Sequence, residues 1–150
     1  MATTLEDLQA YIGKTQGPGE WFPVDQKRIN EFAEATGDHQ FIHVDQEAAK
    51  NGPFGGTIAH GYLTLSLLPT LQKDVSIKVE GAKMGVNYGL DKVRFLTPVK
   101  EGKRVRLSST LISVEEKHPG QYLMKSKAVI EIEGEEKPAM IAETLGLIFV

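Results

Sequence analysis

The sequence predicts an α+β domain in which an antiparallel sheet wraps around one buried helix. Three observations lead there. Residues 57–72, TIAHGYLTLSLLPTLQ, spread Ile58, Tyr62, Leu63, Leu65, Leu67, Leu68 and Leu71 all round a helical wheel, and a helix apolar on every side belongs inside a protein. Residues 84–150 offer four extended runs, at 84–97, 103–116, 121–133 and 138–149, parted by turn signals at Glu101-Gly102, Pro119-Gly120 and Glu133-Gly134-Glu135. Such punctuation predicts antiparallel hairpins. The chain has 150 residues without repeats or a linker, which suits a single domain over 1–150.

The remaining elements follow in order. Leu5, Leu8 and Ile12 share one side of a short helix over 3–12, which Gly13 and Gly17-Pro18-Gly19 end. Trp21, Phe22 and Val24 form a short extended run, and Asp25 is placed as an N-cap. Behind it Ile29, Phe32, Ala33 and Thr36 fall at i, i+3, i+4 and i+7, an amphipathic helix that Gly37 stops. Asp45 caps another short helix, QEAAK, ending at Asn51-Gly52-Pro53. Pro69 kinks the central helix or begins its end. In the third extended run Tyr122, Met124, Ser126, Ala128, Ile130 and Ile132 alternate with charged residues, the period of a half-buried strand.

Composition excludes several functions. There is no cysteine, so a disulfide framework, a thiolate nucleophile and a Cys-ligated zinc site are ruled out. The net charge is −3, without the basic excess of a general nucleic-acid binder. No apolar stretch is long enough to span a bilayer, and the start, MATTLEDLQAYIGK, has no basic region followed by an apolar one. The expectation is a soluble cytoplasmic protein with neither nucleic acid nor membrane as partner.

Chemistry concentrates in two segments. The first is Gly37-Asp38-His39-Gln40-Phe41-Ile42-His43, with one carboxylate and two imidazoles in a loop after a helix. Asp38 and His43 could converge there on one water, with a neutral imidazole taking its proton. The plainer alternative is a common Gly-Asp turn whose carboxylate bonds nearby amides. A metal reading joins Asp38, His39 and His43, but the Glu of H-E-x-x-H is missing and Gly37 interrupts a helix, so no metal is expected. The second segment, Pro53-Phe54-Gly55-Gly56-Thr57-Ile58-Ala59-His60-Gly61-Tyr62, is a glycine-rich entry to the buried helix. It lacks G-K-[ST], so it is no P-loop. Its free helix N–H groups could hold a developing oxyanion, or its glycines could simply let the loop turn. His60 reads as a structural histidine.

Gly37-Asp38-x-x-x-x-His43, followed by the Gly-rich loop and Ala59-His60-Gly61, resembles the MaoC-like dehydratases, a family that includes the (R)-specific enoyl-CoA hydratases. Val86-Asn87-Tyr88-Gly89-Leu90-Asp91-Lys92-Val93-Arg94-Phe95, with Pro98-Val99 behind it, further resembles the NodN-like branch. The resemblance covers nearly the whole chain. It implies a hot-dog fold and a homodimer. It also implies reversible syn hydration of a trans-2-enoyl thioester of coenzyme A or acyl carrier protein to the (R)-3-hydroxyacyl thioester. No cofactor is implied beyond the coenzyme A of the substrate. Asp38 and His43 match the catalytic pair, and the Gly61 amide matches the donor to the thioester carbonyl. Tyr62, Ser66 and Leu67 on the central helix could line an acyl tunnel or be plain core. The sequence departs from the family's Asn-Pro, carrying Gln40-Phe41 instead. Six basic residues over 92–106, Lys92, Arg94, Lys100, Lys103, Arg104 and Arg106, are candidates for coenzyme A phosphates or ordinary solvated strand faces. Two other readings stay open: a thioesterase on the same fold, and a non-catalytic acyl-thioester-binding subunit.

Overall fold

The structure, a computed structural model, describes residues 2–150. Strand β1 (Ala2–Thr3) leads into helix α1 (Leu5–Leu8), capped by the Thr4 side chain and continued by a turn of 3₁₀ helix over Gln9–Tyr11. Strands β2 (Thr15–Gln16) and β3 (Phe22–Pro23) precede helix α2 (Gln26–Thr36). Asp25 caps α2 as expected, its side chain accepting the Arg28 amide at 2.9 Å. Gly37 ends the helix at φ 84°, in the left-handed region, donating its N–H to the Ala33 carbonyl. Only glycine takes that conformation at no steric cost.

Two short helices follow, α3 (Phe41–Val44) and α4 (Gln46–Lys50), the second capped by Asp45 as foreseen. The central helix then runs as α5 (Gly61–Ser66) and α6 (Leu68–Leu71), with a 3₁₀ turn at Gln72–Asp74. After β4 (Lys78–Val79), which pairs with β1, come the long strands β5 (Met84–Phe95), β6 (Arg104–His118), β7 (Gln121–Ile132) and β8 (Met140–Phe149).

The central helix differs from expectation in three ways. It begins at Gly61 rather than 57, because residues 57–59 are held extended by the 97–101 connection. Ile58 bridges Lys100, the Ala59 amide bonds the Val99 carbonyl, and the Glu101 amide bonds the Thr57 carbonyl. It is broken between Ser66 and Leu68, and Pro69 sits in the first turn of α6, where its missing N–H costs nothing. Nor is it covered on every side. Leu63, Leu67, Leu68 and Leu71 are buried, while Tyr62, Ser66 and Pro69, spaced i, i+4 and i+7, form an exposed stripe.

The four long strands occur where the sequence places them, but their pairing differs from a simple meander. The sheet runs β2-β6-β7-β8-β5, with β3 also on β6. The Pro119-Gly120 turn and the 133–139 connection make hairpins, whereas β5 pairs with β8 and not with its sequence neighbour β6. The 96–103 connection is not a tight turn. Its backbone is bonded to residues 57–59 and to Val24, so it crosses to the far edge of the sheet. Buried Ala128, Ile130 and Ile132 of β7 alternate with outward Lys127, Val129 and Glu131. Together with Val105, Leu107, Met140 and Ala142 they pack against Leu63, Leu67, Leu68 and Leu71. Among the described residues no helix is long and apolar enough to cross a membrane.

Candidate active site

The site is built where α2 ends, α3 turns and the chain enters α5. Gly37 reverses the chain and leaves Asp38 exposed. One Asp38 carboxylate oxygen accepts the Gln40 amide at 3.2 Å, so the plain turn reading is met in part and the loop is ordered by it. The sequence alone predicts an irregular loop here. Instead α3 supplies one helical turn, which points His43 inward, where it is buried.

The His43 ring is held by its Nδ1, 2.7 Å from the Ile58 carbonyl oxygen. A carbonyl only accepts, so Nδ1 carries the proton, and in the neutral ring Nε2 keeps a lone pair. His60 stacks on that ring with centroids 3.8 Å apart at 22°. Its own Nε2–H donates to the Asp38 carbonyl at 3.0 Å, while its buried Nδ1 has no partner among the described residues. Phe32 packs against His60, centroids 4.9 Å apart. One potential ligand atom from each of Asp38, His43 and His60 lies within 4.8 Å of the others.

Burial pushes the His60 pKa below its ordinary 6.5; the bond to the Asp38 carbonyl opposes this and neighbouring His43 adds to it. His39 does the opposite. It is exposed, lies 2.7 Å from a Glu34 oxygen, and that bond raises its pKa. His39 therefore stands outside the cluster, which removes the metal set of Asp38, His39 and His43. The set Asp38, His43 and His60 suits proton handling better than metal binding. Nitrogen–metal bonds of about 2.0–2.1 Å lie in the ring plane, and the lone pairs of two stacked rings run nearly parallel instead of meeting.

Gly61 opens α5 directly after His60, so its amide has no helical acceptor. A Cβ there would lie 3.1 Å from the Phe95 ring, so glycine lets that ring close over the helix start. Tyr62 sits on the exposed stripe, 71% exposed, its ring edge-on to Phe95 at 6.1 Å. Ser66 lies about 6–8 Å farther along the helix. Its hydroxyl donates to the Tyr62 carbonyl at 2.7 Å, and it lines a cavity of about 800 Å³ between helix and sheet. Leu67, buried in the core, and Tyr62, facing outward, are not among the residues lining that cavity, so of the three expected there only Ser66 is.

Sequence reasoning missed Gln26. Its Nε2 donates to the His43 carbonyl at 2.8 Å and to Asn30 at 2.9 Å. Its Oε1 accepts the hydroxyl of buried Thr57 at 2.6 Å and the Gln46 amide at 3.2 Å. One side chain thus joins α2, α3, α4 and the entry to α5. A threonine opening an apolar run was the available signal, since a buried hydroxyl requires a partner. His60 was read as structural, and the stack shows how close that structural role lies to His43.

The basic cluster is divided. Arg104 pairs with Glu133, and Arg106 pairs with Glu131 while lying over the Trp21 ring. Lys92, Arg94, Lys100 and Lys103 remain exposed. Gln40 contributes its backbone amide to Asp38, and its side chain makes no capping bond to α3.

Comparison with known proteins gives the family. A family model described as a MaoC like domain matches residues 7–133. The chain is 48% identical over 142 residues to 3-hydroxyacyl-thioester dehydratase Z of Mycobacterium tuberculosis, covering 95% of this chain and 93% of that one. It is 46% identical over 146 residues to nodulation protein N of Rhizobium leguminosarum bv. viciae, covering 97% and 91%. Among solved structures, the monoamine oxidase regulatory protein of Archaeoglobus superposes with a TM-score of 0.81 at 27% identity, covering 99% of this chain and 97% of that one.

Two outcomes are expected. Gln26→Ala leaves the Thr57 hydroxyl buried and unpaired and lowers stability by about 1–3 kcal/mol in urea unfolding, whereas Gln46→Ala, at the exposed end of the same network, stays near wild type. In an imidazole proton titration His60 titrates below 6.5 and His39 above it. Because the unfolded chain binds the His60 proton more readily, that residue's contribution is fully present above pH 6.5 and is lost as pH falls through the lower folded value. A His60 titrating at or above 6.5 would contradict the buried, neutral stack.

Proposed function

The chain belongs to the MaoC-like dehydratase family, and from that membership and the site's geometry we propose that it is a hydro-lyase acting on acyl thioesters, an (R)-specific enoyl-thioester hydratase. The observation that carries the proposal is the pairing of an exposed carboxylate, Asp38, with a buried imidazole whose Nδ1 is tied to a carbonyl and whose Nε2 is left as a base.

A water between Asp38 and His43 loses a proton to Nε2 as its oxygen adds to C3 of the trans-2-enoyl thioester. Electron density moves to the thioester oxygen, where the Gly61 amide stabilises the enolate. The His43 proton then passes to C2 on the same face. Water has added across the double bond in the syn sense, and the enzyme ends as it began. Asp38 orients the water and offsets the charge on protonated His43. The reverse path dehydrates the 3-hydroxyacyl thioester. Tyr62 and Ser66 lie along the path from Gly61 toward the cavity, which takes the acyl tail. Coenzyme A enters as part of the substrate, or acyl carrier protein presents the same thioester, and exposed Lys92, Arg94, Lys100 and Lys103 are available to the phosphates. No further cofactor is needed for this chemistry. A cytoplasmic location fits a chain without cysteine.

The working unit we propose is a homodimer. Strand β5 is twelve residues long and lies at the sheet edge, with Met84, Val86, Tyr88, Leu90 and Phe95 all between 42% and 58% exposed. Long apolar edges are normally blunted by charge or covered, and a second copy pairing along β5 would cover this one.

Asp38→Asn and His43→Gln should each lower the rate of loss of the conjugated enoyl-thioester absorbance by roughly 10²–10⁴-fold, with circular dichroism unchanged. Wild-type rates in both variants, an (S) product, or release of free thiol in place of hydration would overturn the reading. Sedimentation equilibrium should return twice the 16.5 kDa chain mass, and Met84→Lys should shift the population toward the single chain.

A further inference from the structure

The cavity behind the helix has an unusual floor. The inward face of the sheet is large and apolar at one end, where Leu107, Ile130 and Met140 are wholly buried. In the next two rows the same face carries small or hydroxylated residues beside Leu111, before Met124. Ser126 lies on the face of Ala128 and Ile130, and it pairs across the strands with Leu111 on one side and Thr144 on the other. Ser109 is paired with Ala128 one row away. Gly85, Gly89 and Gly146 lie nearby around the same cavity. The cavity they share with Leu65, Leu68, Leu111 and Met124 has a volume of about 800 Å³, within the roughly 300–1,000 Å³ range that holds whole small-molecule ligands.

The hydroxyls are the informative part. An inward sheet face normally presents hydrocarbon, and a hydroxyl there needs a partner. Ser66 spends its hydroxyl on the Tyr62 carbonyl, and Thr144 makes a long bond, 3.4 Å, to the Ser126 carbonyl. No such bond engages the Ser109 or Ser126 hydroxyl among the described residues. A plain alkyl tail would strip water from these groups and return nothing. A tail bearing oxygen would replace the lost hydrogen bonds, and sites built to bond a substrate oxygen discriminate strongly against analogues lacking it.

Taking the hydratase reading as its basis, we infer that the acyl group carries a hydroxyl or keto oxygen in its tail, several carbons beyond C3, bonded by Ser109, Ser126 and Thr144. The helix links the two ends. Its first residue, Gly61, stands at the reacting end, and Leu65 and Ser66, about 6–8 Å on, already line the cavity.

The test uses the full chain with crotonyl-CoA, a longer unbranched trans-2-enoyl-CoA, and analogues of that same length with a hydroxyl or keto group in the distal half. The oxygenated analogues should show kcat/KM about tenfold or more above the unbranched chain. Ser109→Ala and Ser126→Ala should bring that ratio toward one while leaving crotonyl-CoA hydration unchanged. A wild-type ratio of one or less, or a ratio that neither substitution moves, overturns the inference while hydration of crotonyl-CoA leaves the hydratase reading standing. If no thioester is hydrated, the hydratase reading itself fails. Calorimetry with the saturated thioesters then decides: tighter binding of the oxygenated tail supports the assignment, and equal or weaker binding overturns it.

Discussion

The bond from His43 Nδ1–H to the Ile58 carbonyl is the contact on which the site depends. It sets the tautomer, so in the neutral ring Nε2 is the nitrogen left with a lone pair. It also has a backbone counterpart, because the Ile58 amide donates to the Ile42 carbonyl at 3.0 Å. Residues 42–43 and 58 are therefore tied in both directions, and the fourteen residues of intervening chain are closed into a loop around that tie. On the far side Ile58 bridges Lys100. One extended residue thus fixes an imidazole on one flank and the crossover to the sheet on the other. This is why residues 57–59 could not join the helix that their apolar pattern suggested.

What was legible in the sequence follows from the range of the physics involved. The Asp25 and Asp45 caps, the Gly37 stop and the alternation in β7 are local, decided within a few residues, and the structure agrees with each. The spacing of Asp38 and His43 was readable for the same reason, as was the glycine at 61. The partner of β5 was not readable, because strand pairing is set by where the 96–103 connection is bonded, and those bonds reach residues far away in sequence. Gln26 was invisible on similar grounds. A glutamine in the first turn of a helix is ordinary, and only the fold brings Thr57, His43 and Gln46 to it. The exposed stripe of Tyr62, Ser66 and Pro69 escaped notice because helical periodicity counts apolar residues, without knowing that the sheet covers only one side.

His60 shows how structure and chemistry share a residue. Its Nε2–H anchors the Asp38 carbonyl, fixing the loop that carries the carboxylate. Its ring forms one wall of the His43 site. Burial decides for the neutral form by lowering the pKa; the bond to the Asp38 carbonyl favours the protonated ring and neighbouring His43 the neutral one. A buried nitrogen without a partner is a cost that a merely structural residue would be expected to avoid, since nearly all buried polar atoms in folded proteins are bonded. A neutral aromatic carbon ring could form the wall but could not hold the Asp38 carbonyl. A longer amide could hold the carbonyl but would not stack flat on His43. Histidine meets both requirements, and the orphaned Nδ1 is the consequence of using the other nitrogen as the anchor.

The sheet carries the same division of labour along its length. Near Leu107, Ile130 and Met140 its inner face meets the leucines of the helix closely and supplies the core. Near Ser109, Ser126 and Gly146 the face draws back and the core gives way to a cavity. The two regions are continuous strands, so the stability of one must carry the openness of the other. The edge at β5 continues the pattern, because the strand bordering the cavity is also the one left most exposed. A chain that filled this end with leucine would gain buried area and lose the space for a tail. Small residues in mid-strand weaken a sheet, and Gly85, Gly89 and Gly146 all border this cavity.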